Sequence, residues 1–164
     1  SKTAYLLDTE SNFGTVYTSF LNDSILFLGT NQGLFYKNIH KIKSKPRLFD
    51  KSTEQIWEIK KIDHQILVGS HKGLSVLENN SLKMIHQEGG AWVIKKHPKL
   101  KDILYVGFYS GLAVFKKVNN QWKFFKKFDN FGESSRFVEF DQYGQIWVAH
   151  PSKGYYRLRL SAMG

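Results

Sequence analysis

Apolar and polar residues alternate along this chain in short bursts separated by turn residues. The run Ile56-Trp57-Glu58-Ile59-Lys60-Lys61-Ile62 has the period-two pattern of a half-buried strand. Asp63-His64-Gln65 supplies a polar turn, because an Asp side chain can cap its own backbone two residues on. Ile66-Leu67-Val68 is a continuous apolar triplet, as expected of a strand covered on both faces. Residues 69–73 then form a small-residue loop, and Leu74-Ser75-Val76-Leu77 resumes the strand pattern. Asn79-Asn80 suits a tight turn with positive φ. A more polar last strand over 81–87 precedes Gly89-Gly90. The pattern predicts four strands over 55–90. No run of ten or more residues carries a capped helical period, so the fold class is all-β.

The unit repeats. Ile25-Leu26-Phe27-Leu28-Gly29-Thr30-Asn31-Gln32-Gly33-Leu34 returns as Ile66-Leu67-Val68-Gly69-Ser70-His71-Lys72-Gly73-Leu74. It returns again as Leu104-Tyr105-Val106-Gly107-Phe108-Tyr109-Ser110-Gly111-Leu112, and as Ile146-Trp147-Val148-Ala149-His150-Pro151-Ser152-Lys153-Gly154-Tyr155. Successive second glycines, at 33, 73, 111 and 154, are 40, 38 and 43 residues apart. Four short strands per period of this length predict a β-propeller of about four blades, each a four-stranded antiparallel sheet. The repeats run over about 14–54, 55–90, 91–133 and 134–164 of a single domain, 1–164. The segment 4–8 reads as a lone outer strand, and 155–160 as a third strand lacking a fourth, so together they would complete one blade. Four blades closing alone, a piece of a larger propeller, and two chains pairing into a larger ring all satisfy this pattern.

Composition narrows the partners more than the chemistry. The 164 residues are 41% hydrophobic, enough for one domain with a core, and no stretch has the length of a membrane span. The absence of cysteine excludes disulfides and thiolate metal sites. A net charge of +10 would suit a polyanion. Yet Lys41, Lys43, Lys45, Lys116, Lys117, Lys123, Lys126 and Lys127 fall where outer strands lie, and lysine there keeps sheet edges from pairing. With four arginines and no RNA-binding signature, no nucleic-acid partner is expected, nor any membrane contact by this segment.

Candidate chemistry is sparse. Glu58 and Glu139 read as equivalent first-strand carboxylates facing a central channel, but solvated acids fit there as well as a hydrolytic pair. His71 and His150 occupy equivalent loops, and two histidines without a third ligand do not make a zinc site. No catalytic residue, metal or cofactor is therefore assigned. Binding residues are sought in loops that a propeller gathers on one face: Asn31, His71, Lys72, Tyr109 and His150, joined by Trp57, Trp92 and Arg136 from the inter-blade segments. Aromatic rings beside polar donors suit sugars. Packing between blades is the competing role for Trp57 and Trp92.

The stretch from Val138 through Asp141, Gly144 and Trp147 to Gly154 resembles the two-component regulator propeller repeat. That pattern runs D-x-x-G-x-(I/L)-W-(I/V)-G-T and then G-(I/L). Ala149-His150 replaces its Gly-Thr, which Gly29-Thr30 keeps. The middle units lack the D-x-x-G turn and the second-strand Trp. The resemblance implies a non-catalytic module of a periplasmic sensor that detects a small ligand or oligosaccharide, ahead of a β-sandwich and a membrane span in proteins that are often hybrid histidine kinases. A protein-interaction or assembly module, a homo-oligomer through open blade edges, and a fragment of a glycan-active enzyme are the alternative readings.

Overall fold

In the computed structural model, residues 3–4 and 12–159 are described. Of the outer strand expected at 4–8, all but Ala4 lies outside them, as does Leu160 at the end of the expected closing strand. The described chain is all-β. The first sheet holds β1 (Val16–Asn22), β2 (Ile25–Thr30), β3 (Gly33–Asn38) and β4 (Arg47–Leu48). The second holds β5 (Ile56–Ile62), β6 (Gln65–Ser70), β7 (Gly73–Glu78) and β8 (Ser81–Gln87). The third holds β9 (Val93–Lys96), β10 (Ile103–Gly107), β11 (Leu112–Val118) and β12 (Gln121–Lys127). The fourth holds β13 (Phe137–Phe140), β14 (Ile146–His150) and β15 (Gly154–Leu158). Each sheet is an antiparallel meander in chain order, which makes it one propeller blade. Three blades have four strands, and the fourth has three among the described residues.

The turns follow from their residues. Asp23 and Asp63 take φ of 52° and 54°, and Asn79, Asn80, Asn119 and Asn120 lie between 50° and 60°. These are the left-handed values that Asn and Asp tolerate and that tight hairpins require. The second glycine of the phrase has a stricter reason. Gly33 and Gly73 have φ of 132° and 139°, and a Cβ there would collide with the carbonyl oxygens of Ser52 and His86.

Packing is between neighbouring blades. One apolar cluster joins blades one and two around Phe27, Leu34, Ile59 and Val68. A second joins blades two and three around Leu67, Leu74, Ile94 and Val106. A third joins blades three and four around Tyr105, Leu112, Val138 and Val148. Every interior blade thus has a forward face, turned to the next blade, and a backward face, turned to the last. The first glycine of the phrase permits this approach. A Cβ on Gly69 or Gly107 would strike the backbone of Ala91 or Ser135 in the chain entering the next blade. An ion cluster latches the second junction from outside, where Asp63 accepts from Lys117 of β11 at 2.8 Å and from Lys96 of β9.

Candidate functional site: an aromatic arc at the inner strands

In or just before each inner strand stands one large side chain at the same register position. In β1 and β5 the pairing slips by one residue, so Tyr17 and Trp57 are extra residues opposite no partner. Such a bulge re-aims the side chain it displaces. Their neighbours Thr18 and Glu58 pair with Gly29 and Gly69, while Val93 and Phe137 pair with Gly107 and Ala149. The preceding residues, Tyr17, Trp57, Trp92 and Arg136, are therefore structural equivalents across the four blades.

These four groups stack side by side. Ring centroids lie 4.9 Å apart for Tyr17 and Trp57, and 4.3 Å for Trp57 and Trp92. The Arg136 guanidinium stands 4.7 Å above the Trp92 ring, a distance that makes the cation a member of the stack. The arc, with Thr18, Glu58, Val93 and Phe137, lines an open cleft of about 330 Å³ to which all four blades contribute.

A second tier comes from the loops. Tyr109 lies beside Trp92 at 5.2 Å, and its hydroxyl accepts from Trp57 Nε1 at 3.2 Å. The same hydroxyl meets His71 Nδ1 at 2.9 Å, so it can accept from the indole while donating to the imidazole. Gly90 makes room for this ring, because a Cβ there would fall inside it. Gly89-Gly90 is thus a close approach of side chain to backbone as well as a turn.

Glu58 is the carboxylate in the cleft lining. Its Oε2 accepts from the Ile94 amide, and Lys60 is 3.7 Å away. Burial dominates these contacts and raises its pKa above the ordinary glutamate range. Glu139 does not share its position, contrary to the equivalence expected from spacing. It pairs in register with Trp147 and binds Lys95 at 2.7 Å, whereas Glu58 pairs with Gly69. Among the described residues one carboxylate, not two, faces the cleft.

Of the eight expected binding residues, Trp57, Trp92, Arg136, Tyr109 and His71 come together. Asn31 does not join them; its side chain accepts from the Thr15 amide at 2.7 Å and ties down its own loop. Lys72 turns to Glu54 at 3.7 Å. His150 lies 3.7 Å from Glu133, and its Nδ1 caps the amides of Ser152 and Lys153. The sequence reading omitted Tyr17 and Phe137, although alignment of each inner strand on its glycine partner places both. Among the described residues no group of three or more acids and histidines is close enough to hold a metal ion. A smaller cavity of about 180 Å³ lies between the outer strands of blades two and three, against Trp122 and Gln65.

No family model matches the chain, and no curated protein matches it. Solved structures do. The extracellular domain described as that of a hybrid two-component system from B. thetaiotaomicron superposes with a TM-score of 0.72 at 21% identity, over 96% of this chain and 22% of that one. A second such extracellular domain from B. thetaiotaomicron gives 0.61 at 19% identity, over 85% of this chain and 19% of that one. The computationally designed Ika4 protein gives 0.64 at 12% identity, over 97% and 100%. The chain spans about a fifth of the length of these two extracellular domains. At these identities the shared property is the fold.

Proposed function

We propose that this chain is part of an extracytoplasmic sensor propeller, and that it binds an oligosaccharide or similar small polar ligand over the arc formed by Tyr17, Trp57, Trp92 and Arg136. The observation that carries this reading is the arc itself. Four equivalent positions hold three aromatic rings and a guanidinium, next to an open cleft. Sugars offer apolar C–H faces that lie on such rings, and hydroxyls that the His71–Tyr109 pair, Glu58 and Arg136 can meet. Fold similarity to sensor ectodomains supports the sensor role and the extracytoplasmic setting. A binding role suits the cleft better than hydrolysis, which needs two facing carboxylates.

The test is a screen of neutral and acidic oligosaccharides by tryptophan fluorescence and calorimetry. Trp57→Ala and Trp92→Ala are expected to weaken any ligand found at least tenfold, about 1.4 kcal/mol, by removing the stacking surface. A ligand bound equally well by both variants would place the site elsewhere and end this reading.

A further inference from the structure

The junction between blades two and three holds two polar groups that the repeat itself shows to be unnecessary for packing. Blades one and four pack against its outer sides. Counting back four positions from the first glycine of each phrase, Gln65 stands where blades one and three have Ile25 and Ile103, and where blade four has Gln145. Counting on from the Asn-Asn turn, Trp122 stands where blade two has Leu82. At the junction of blades one and two, Ile25 and Leu82 belong to one apolar cluster. At the next junction the corresponding pair is Gln65 and Trp122. Trp122 is 3% exposed, and neither its Nε1 nor Oε1 of Gln65 has a hydrogen-bond partner among the described residues. A buried donor and a buried acceptor left unpaired both cost stability. An isoleucine and a leucine, as at the first junction, would have avoided that cost.

Both side chains line the cavity of about 180 Å³ between the outer strands, whereas the arc belongs to the inner strands. Val76, Met84 and Ile85 give this cavity apolar walls. Its two charged residues, Glu78 and Lys83, lie 3.5 Å apart and neutralise each other. The Trp122 ring is held by Lys117, whose ammonium stands 5.3 Å from its centroid and binds Asp63 at 2.8 Å. We propose that the cavity is a second binding site, for a small neutral molecule with a hydroxyl on an apolar body, such as a phenol or a cyclic alcohol. One hydroxyl accepts from the indole N–H and donates to the amide oxygen, so a single group answers both unpaired atoms. The apolar body then covers Val76, Met84 and Ile85. A charged molecule would meet no opposite net charge, and a hydrocarbon would leave both polar atoms unpaired. The volume is several times the roughly 30 Å³ that one water takes in the liquid, so it admits a molecule of this size. Met84, 41% exposed and unbranched, can swing aside to let it in. Because the lining comes from both blades, the bound molecule would brace their junction beside the ion cluster of Asp63, Lys96 and Lys117.

Nuclear magnetic resonance of the isotope-labelled chain tests this at the site itself. The indole N–H signal of Trp122 is identified by its loss in Trp122→Leu, which installs the residue blade two uses. Phenol and cyclohexanol are expected to move that signal saturably. Toluene, close to phenol in shape but without the hydroxyl, should bind at least about tenfold more weakly. Gln65→Ile installs the residue that blades one and three use. It should melt no lower than wild type, yet weaken phenol about tenfold. Toluene bound as tightly as phenol overturns the proposal, since the cavity would then be merely apolar. A Trp122 signal that no probe moves, up to its solubility limit, overturns it as well and leaves the unpaired atoms to water. Phenol binding untouched by Gln65→Ile does the same.

Discussion

Glu58 shows how a single side chain in the cleft lining ties stability to pH. Burial raises its pKa against the opposing pull of Lys60, the Ile94 amide and Lys95. The folded state therefore holds this proton to higher pH than the unfolded chain does. The stability it contributes is complete below the ordinary glutamate pKa and is lost as pH rises through the raised folded value. Glu58→Gln keeps an acceptor for the Ile94 amide and removes the charge. It should be more stable than wild type at neutral pH and indistinguishable at acid pH, measured as melting temperature across a pH series; equal curves at both ends would mean the carboxylate is solvated. The neighbouring tryptophans combine packing with exposure. They pack between blades and still line an open cleft, because the bulge turns Trp57 off the ladder and the stack leaves part of each ring uncovered.

At the scale of elements, the repeated phrase is a set of instructions for meeting the next blade. Its first glycine clears a path for backbone, its second makes the turn, and the following residue is the plug. Removing the plug should expose the difference between covered and uncovered blades. Leu74→Ala is expected to cost about 2–5 kcal/mol, the usual range for a fully buried leucine. Tyr155→Ala, at a side chain 77% exposed, should change stability by less than about 0.5 kcal/mol. Equal losses in urea denaturation would mean that blade four is covered after all. Strand existence and turn chemistry were legible in the sequence, because alternation and Asn-Asn or Asp turns are local. The register that separates Glu58 from Glu139 was not, since the two differ by two residues along the strand, an offset that keeps both on one face and leaves the alternation unchanged.

For the molecule as a whole, contacts run between consecutive blades, so stability should behave as a chain of nearest-neighbour terms. Among the described residues, blades two and three each have two packed neighbours, whereas one and four have a single one each. Native-state amide exchange in the monomer should therefore be slowest in β6, β7, β10 and β11 and fastest in β13 to β15. Uniform protection across all four blades would show that the domain opens as a single unit.

The amino-acid sequence by itself determined the strand class, the fourfold unit and the residue types available for binding, because alternation, glycine spacing and turn residues act over a few positions. It also named five of the residues that meet at the arc, through loop equivalence. Only the tertiary structure decided which of the eight candidates share a surface, that Tyr17 and Phe137 belong with them, and that Tyr155 is exposed where Leu34, Leu74 and Leu112 are buried. Those outcomes depend on register and on which sheet face is covered. Register is set within each hairpin, where a bulge leaves no mark on the apolar pattern, and cover is set by packing between blades whose equivalent glycines lie 38 to 43 positions apart.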